Sequence, residues 1–331
     1  MYESAKSANL PVRQAGEGSP LETNQRNAER IAELFEEIGG SATDGFPAIH
    51  SPVSHTETGT PYLRSPGVVM LAKPQTNVAG LTGFLEGFDP ELKFPEYVND
   101  PTPLPDSSQL CKTAGQVCYA SFGERRTKNE NATAYFERLT SAGHGSVLEH
   151  SNFSFLLYGI SRSVTHELVR HRAGVGVSQI SQRYVSGSVL RFVERPEYGE
   201  DAELHRLFEE RADRAAAGYE EMAERLLERQ ESGSVMLSAD YRTDARKKVQ
   251  QTARSLLPNE TEAPMVFTAN VRALRHVIEM RADAHAESEI RNLALRLFLC
   301  LRQADPILFG DYVLGTLPDG THTVTTEHRK A

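Results

Sequence analysis

The segment at residues 161–184, SRSVTHELVRHRAGVGVSQISQRY, joins a helical pattern, a glycine turn and a polar run within one short stretch. Ser161 suits a helix N-cap, and Val164 and Leu168 are spaced as the apolar side of a short helix. The helix should end at residues 173–176, where two glycines leave the backbone free to pass close to a ligand. The run that follows carries short hydrogen-bonding side chains. The segment therefore predicts a cradle for an anion or a polar ring.

Three neighbouring side chains, Arg170, His171 and Arg172, dominate the charge of this segment. They cannot all be buried without partners, because a desolvated charge costs several kcal/mol unless an anion meets it. At about 100° per residue, Glu167, Arg170 and His171 share one face of the helix and Arg172 points elsewhere. A negatively charged ligand or side chain is expected on that face.

The composition limits the classes of function. The chain has 331 residues, a net charge of −9 and no basic tract, whereas general nucleic-acid binding needs many Lys or Arg side chains on one face. The N-terminus lacks the apolar region of a signal peptide, and no apolar stretch is long enough to cross a bilayer. We expect a cytoplasmic protein that binds neither nucleic acid nor membranes.

The sequence disfavours both cysteine chemistry and a zinc site of the HExxH type. Cys111, Cys118 and Cys300 are odd in number and lack CxxC spacing, so buried structural thiols are expected rather than a nucleophile, a disulfide framework or a zinc site. In HELVRH, His166 and His171 are five residues apart, about 140° around a helix, and cannot face one metal as the histidines of HExxH do. We therefore expect no metal.

The order of predicted elements favours an α+β fold with a central mixed or antiparallel sheet and long packed helices. We expect strands at residues 68–71, 152–158, 189–193 and 265–268. Helices are expected at residues 24–38, 81–88, 108–119, 132–142, 202–230, 244–256 and 271–303, the last either continuous or broken near 281–283. Residues 1–65 are rich in small and polar side chains and predict a disordered or loosely docked extension that catalysis can dispense with. Residues 66–315 form the predicted core domain, and residues 316–331 a polar tail.

Two further segments have competing interpretations. GHGSVLEH, at residues 143–150, is either a turn with surface histidines or a polar edge that holds a cofactor. NVRALRHVIEMRADAHA, at residues 270–286, is either a solvated, salt-bridged helix face or a row of ligand-binding side chains. Spacing alone does not separate these interpretations.

Taken together, RHR followed by SQISQRY, ASF at residues 120–122, and the two segments above resemble the flavin-dependent thymidylate synthases, in the same order along residues 67–314. The loop between Arg172 and Ser181 is one residue longer than the usual family pattern, so its path is open. The resemblance implies reductive methylation of dUMP to dTMP, with FAD as hydride carrier, methylenetetrahydrofolate as carbon donor and NADPH as reductant. It also implies a homotetramer with shared sites. The alternative is a nucleotide-binding regulator that kept the anion cradle without catalysis.

The resemblance also assigns residues. Arg281 is expected to act on the reacting pyrimidine, and Ser181 to bind rather than attack, since it has no evident base partner. The residues expected to bind dUMP are Glu167, Arg170, Gln179, Ile180, Ser181, Gln182, Arg183, Arg254 and Arg281. Those expected to bind FAD are Ser121, His144, Ser146, Glu149, Arg170, His171, Arg172, Gln179, Asn270, Arg272, His276 and His285.

Overall fold

A computed structural model describes residues 20–185, 189–232 and 242–328. The helices in these ranges are α1 (Pro20–Glu37), α2 (Thr82–Leu85), α3 (Asp106–Cys118), α4 (Ala132–Ser141), α5 (Arg162–Leu168), α6 (Pro196–Gly199), α7 (Ala202–Glu231), α8 (Arg242–Ala253), α9 (Val271–Arg281) and α10 (Ser288–Ala304). The strands are β1 (Gly40–Thr43), β2 (Phe46–Ile49), β3 (Val53–His55), β4 (Pro61–Leu63), β5 (Gly67–Ala72), β6 (Asn152–Tyr158), β7 (Val175–Gln179), β8 (Phe192–Val193), β9 (Met265–Asn270), β10 (Val313–Thr316) and β11 (His322–Thr325). No described helix is both long and apolar enough to span a membrane.

The central sheet has six strands in the order β1-β2-β5-β6-β9-β7, and all of its neighbouring strands are antiparallel. Buried and less buried residues alternate along β6, from Phe153 to Leu157, as expected for a strand with one face on the core. Helix α10 packs against β2 and β5 and buries most of its length. Long helices on an antiparallel sheet confirm the predicted α+β class.

Local sequence explains where the central helices begin. Ser161 Oγ accepts a hydrogen bond from Val164 N and starts α5, as predicted. Asn270 Oδ1 does the same for α9, at 2.8 Å from Ala273 N. Glu287 caps α10, so the predicted long helix is broken between Arg281 and Ser288. This break places Arg281 at a free helix end, where its side chain can turn toward α5.

The prediction of a loosely docked extension is wrong for residues 20–65. Helix α1 places Ile31, Leu34 and Phe35 in the main core, where each is at most 6% exposed. Strand β2 pairs with β5 and buries Ile49 completely. The composition is polar on average, but the apolar side chains repeat at helical spacing and form one stripe that the core covers. Residues 1–19 lie outside the described ranges.

Three other predictions also need correction. The predicted polar tail contributes to the core, because β11 pairs with β10 and Val324 is 1% exposed. The predicted flexible loop after Arg172 becomes strand β7 from Val175, paired with β9. Only Phe192–Val193 of the strand predicted at residues 189–193 forms, and it pairs in parallel with β4. A short polar strand at a sheet edge gives little periodic signal, so these elements depend on their tertiary partners.

Candidate active site

A compact polar cluster joins the end of α9 to the end of α5. The Arg281 guanidinium donates from Nη1 to Glu167 Oε2 at 2.6 Å and from Nη2 to the Glu167 carbonyl oxygen at 3.3 Å. Its Nε donates to His171 Nε2 at 3.1 Å. The sequence predicted that Glu167 and His171 share one face, and the structure brings both onto Arg281. We name Glu167, His171 and Arg281 the arginine cluster.

The hydrogen bond from Arg281 fixes the tautomer of His171. Because Nε2 accepts a hydrogen bond from the guanidinium, the ring is neutral and carries its own proton on Nδ1. Burial, with smaller contributions from the charge on Arg281 and from His276, lowers the pKa of His171 from 6.5 to about 4. The rings of His171 and His276 meet edge to face, with 5.5 Å between their centroids. His171 therefore offers a hydrogen-bond donor at Nδ1 near neutral pH.

The lowered pKa of His171 makes stability depend on pH. The unfolded chain binds a proton at His171 near pH 6.5, whereas the folded chain binds it only near pH 4. The unfolded state thus binds more protons between these values, and the free energy of unfolding should fall as the pH is lowered from about 6.5 to about 4.

Urea unfolding of the wild type and of His171→Gln at several pH values in this window measures the effect. Gln keeps an acceptor for Arg281 but does not titrate, so the wild type should lose stability relative to the variant as the pH falls. A difference that stays constant with pH would show that His171 does not carry the effect.

Two neighbouring cavities share the side chain of Arg272. The first, which we name the α9 cavity, has a volume of about 330 Å³ and is lined by Glu149, Ala173, Gly174, Asn270, Arg272, Ala273 and His276. The second, the α3–α4 cavity, has a volume of about 360 Å³ and its lining includes Cys118, Tyr119, His144, Ser146 and Arg272. Arg272 Nη1 lies 2.6 Å from Glu149 Oε1. Six of the residues predicted to bind a cofactor thus line two adjoining cavities.

Position 174, at the edge of the α9 cavity, requires a glycine. Its φ is +69°, and a Cβ atom there would lie 2.4 Å from Asn270 Nδ2. The Gly174 carbonyl oxygen also accepts a hydrogen bond from Asn270 N at 3.0 Å. The glycine turn therefore lets the segment after RHR pack directly on the start of α9.

A third cavity, of about 430 Å³, contains two of the residues predicted to bind the nucleotide, Gln182 and Arg254. Arg162, the first residue of α5, lines the same cavity and was not predicted from the sequence. Its position in the sequence, directly after the N-cap Ser161, does not indicate that it lies near Arg254, because only tertiary packing brings the two residues to one cavity. Two guanidinium groups and an amide at one cavity suit a phosphate. We name this the two-arginine cavity.

The remaining predicted residues do not meet these groups within the described chain. Ser121 Oγ donates to the Gln116 carbonyl oxygen at 3.5 Å, and the backbone N of His285 donates to Asp283. Gln179 Nε2 is buried without a described partner. The others lie outside the helices and strands: Arg170 and Arg172 are between α5 and β7, and Ile180, Ser181 and Arg183 are in the loop after β7.

Ser181 forms only a local contact among these residues, since its Oγ accepts from Arg183 N at 3.3 Å. Arg183 is exposed and its guanidinium lies 5.5 Å from the centroid of the Tyr184 ring. Within the described ranges, no group of His, Cys, Asp and Glu side chains is arranged to hold a metal ion.

Comparison with known proteins gives the family. The family model described as "Thymidylate synthase complementing protein" matches residues 100–307. The chain belongs to this family. The flavin-dependent thymidylate synthase of Mycobacterium avium (strain 104) is 42% identical over 217 residues, which is 66% of this chain and 84% of the relative. That of Mycolicibacterium vanbaalenii is 40% identical over 239 residues, 71% of this chain and 92% of the relative.

A solved structure, the UMP/dUMP methylase PolB from Streptomyces cacaoi bound with 5-Br dUMP, covers 74% of this chain and 93% of its own, with a TM-score of 0.49 and 19% identity. The range matched by the thymidylate synthase complementing protein family contains every predicted site residue, from Ser121 to His285. Helix α1 and strands β1 to β5 lie before it.

Proposed function

We propose that the chain catalyses the reductive methylation of dUMP to dTMP, with FAD as cofactor, methylenetetrahydrofolate as carbon donor and NADPH as reductant. The observation that carries the proposal is the arginine cluster, which lies where α5 and α9 meet and adjoins the α9 cavity, because the ring of His171 contacts the ring of His276, which lines that cavity. The relatives named flavin-dependent thymidylate synthase support the same activity. A cytoplasmic location is part of the proposal.

The residues around the α9 and α3–α4 cavities fit a flavin. The two cavities adjoin at Arg272, so one elongated molecule can occupy both. The lining offers both hydrogen-bond donors and acceptors, among them Asn270, His276 and Glu149, which suits the polar edge of a flavin ring. The neutral His171 offers a further donor at Nδ1. A bound flavin would supply the hydride, and the protein supplies orientation and charge.

The full set proposed to hold the flavin extends beyond this lining. His144 and Ser146 belong to the α3–α4 cavity, and Gln179 contributes a buried amide donor without a described partner. We propose that the flavin is held by Ser121, His144, Ser146, Glu149, Arg170, His171, Arg172, Gln179, Asn270, Arg272, His276 and His285.

The nucleotide would be held by its phosphate and by its ring. The two-arginine cavity supplies Arg254, Gln182 and also Arg162 for the phosphate. Arg183 is exposed nearby in sequence and adds a further cation. The rest of the proposed nucleotide set is Glu167, Arg170, Gln179, Ile180, Ser181 and Arg281.

Arg281 has spare hydrogen-bonding capacity. A guanidinium has five N–H groups, and three of those on Arg281 donate to Glu167 and His171. The described residues leave one N–H on each terminal nitrogen for a planar acceptor such as a pyrimidine edge. A fixed cation there would favour ionisation of the ring nitrogen and stabilise the charge that develops during hydride addition.

A test of the proposal begins with the purified full-length protein. It should carry an absorbing flavin and convert dUMP to dTMP when methylenetetrahydrofolate and NADPH are both present, and omission of either should stop product formation. A protein that binds dUMP with flavin present but forms no dTMP would support the alternative, a nucleotide-binding regulator.

The homotetramer with shared sites also remains a proposal. Arg183 and the arginine cluster are not joined by a hydrogen bond or an ion pair among the described residues, although both are proposed to hold one nucleotide. A second copy that brings its own residues to the site would remove this difficulty. Light scattering of the purified protein should give four times the chain mass of 36.7 kDa.

No cysteine is required for the proposed reaction. Cys111 and Cys300 are buried, and burial raises the pKa of each thiol to about 12, so neither is a thiolate near neutral pH. Cys118 is exposed at the α3–α4 cavity, contrary to the expectation of a buried thiol. A variant with all three changed to Ala should keep dTMP formation within about tenfold, or about 1.4 kcal/mol of barrier. Full loss of turnover in a folded, flavin-loaded variant would contradict this.

A further inference from the structure

A large cavity lies behind the proposed flavin site. Its volume is about 460 Å³, and its walls come from α1, α4, the end of α10 and residues 306–313. Phe136 of α4 and Arg275 of α9 face this cavity, whereas Leu139 of α4 and Arg272 of α9 face the cavities described above. The two helices therefore separate the new cavity, which we name the rear cavity, from the proposed flavin site.

Two arginines with different partners lie at the floor of the rear cavity. Arg275 is 4% exposed and places both terminal nitrogens at 2.7 Å from the two carboxylate oxygens of Asp311, so these two charges cancel. Arg302 lines the same cavity, but no ion pair joins it to a described carboxylate, and its one described hydrogen bond goes to the Pro306 carbonyl oxygen. Glu137 lies at the exposed rim, where water screens its charge. Burial lowers the pKa of Arg302 although the charges of Asp305 and Asp311 act to raise it, so the positive charge of Arg302 is only partly compensated.

The cavity also contains a hydrogen-bond donor that is not used. Arg275 Nε is buried and has no described partner, although both terminal nitrogens of this guanidinium donate hydrogen bonds. A buried donor left without an acceptor costs about 1–3 kcal/mol. Arg275 Nε has almost no accessible surface, so an anionic group in the cavity would meet the charge of Arg302 rather than this donor.

The remaining walls set the shape of the occupant. Apolar surface comes from Phe136, Leu148, Ile307 and Val313, opposite the two arginines. The volume is within the range of about 300–1,000 Å³ that is usual for small-molecule sites. We propose that the rear cavity binds a small organic anion, a ring compound that carries one carboxylate, sulfonate or phosphate group. This site does not rest on the proposed function, because none of its residues belongs to the flavin or nucleotide sets.

Helix α1, which precedes the range that the family model matches, forms one wall of the rear cavity. Asn24 and Asn27 of α1 line the cavity, and α1 lies outside the residues that the family model matches. Asn27 holds this wall in place, because its side chain donates to the Tyr312 carbonyl oxygen at 2.9 Å and accepts from Leu314 N at 3.0 Å. The extension therefore completes a cavity that the matched range alone leaves open on one side.

Isothermal titration of the full-length protein, with saturating FAD and dUMP present, tests the proposal with two matched probes. Anilinonaphthalene sulfonate has an aromatic body and one anionic group, and phenylnaphthylamine has the same body without the charge. The sulfonate should bind with one molecule per chain and more tightly than the neutral probe. Absence of a saturable sulfonate site under these conditions would overturn the proposal.

Three variants locate the binding. Arg302→Gln should weaken the sulfonate by at least about tenfold, or about 1.4 kcal/mol, and leave the neutral probe within about twofold. Thr133→Trp, at an exposed position of α4 beside the cavity, should weaken both probes. Arg229→Gln, which removes an exposed arginine beside a different cavity on α7, should change neither. Equal sulfonate affinity in Arg302→Gln and Arg229→Gln, or unchanged binding in Thr133→Trp, would show that the rear cavity is not the site.

Discussion

A chain that begins at Tyr62 should fail to fold, although the composition of residues 1–65 predicts that they are dispensable. This truncation removes Ile31, Leu34, Phe35 and Ile49 from the main core. Burial of each large apolar side chain contributes about 1.5–3 kcal/mol, so the four together contribute roughly 6–12 kcal/mol. That amount is comparable with the whole stability of a typical domain, about 5–15 kcal/mol.

The truncated chain should therefore be insoluble, or show no cooperative thermal transition by circular dichroism. A graded version separates core packing from a general effect of shortening. Leu34→Ala in the full-length chain should lower the free energy of unfolding by about 2–5 kcal/mol. Glu36→Ala changes an exposed neighbour on the same helix and should have almost no effect. A soluble truncated protein that melts like the full-length chain would show that α1 is not part of the folded core.

Helix α1 shows what composition can and cannot predict. The spacing of Ile31, Leu34, Phe35 and Ile38 correctly indicated a helix with one apolar side. Nothing in that spacing says which surface covers the stripe. The low average hydrophobicity of the surrounding residues favoured disorder, but stability depends on the few side chains that are buried and not on the average.

The central elements were predicted well where the local signal and the tertiary environment agree. Strand β6 alternates in burial, α5 begins at its predicted cap, and the helix predicted after Asn270 breaks near Arg281. Strand β7 was missed because its glycine and polar residues form an edge strand through pairing with β9, which no local pattern reports.

In the candidate site, too, the sequence predicted the residues but not the contacts that depend on tertiary packing. The RHR segment and Arg281 lie more than a hundred residues apart in the sequence, and the resemblance to a known family predicts that both belong to one site. The sequence could not indicate that Arg281 donates to His171 or that Arg162 and Arg254 line one cavity, because both arrangements depend on how α5 packs in three dimensions.

Arg281→Lys should lower kcat for dTMP formation by about 10²-fold, or about 2.7 kcal/mol of barrier, while flavin remains bound. Lysine keeps the positive charge but is a single donor centre. It cannot reach Glu167 Oε2 and His171 Nε2 together and also present a planar pair of N–H groups to the substrate ring. The loss should fall on kcat because the charge on the pyrimidine develops only as hydride adds.

Arg183→Lys is the matched control, since it makes the same chemical change at a residue proposed to anchor the phosphate. An anchor that contributes equally before and during the reaction should raise KM for dUMP and leave kcat nearly unchanged. Both variants should be measured with methylenetetrahydrofolate and NADPH saturating and with flavin content determined by absorbance. If Arg281→Lys raises KM alone, as expected for Arg183→Lys, then Arg281 is a second anchor, and the charge that favours ionisation of the pyrimidine must come from another residue.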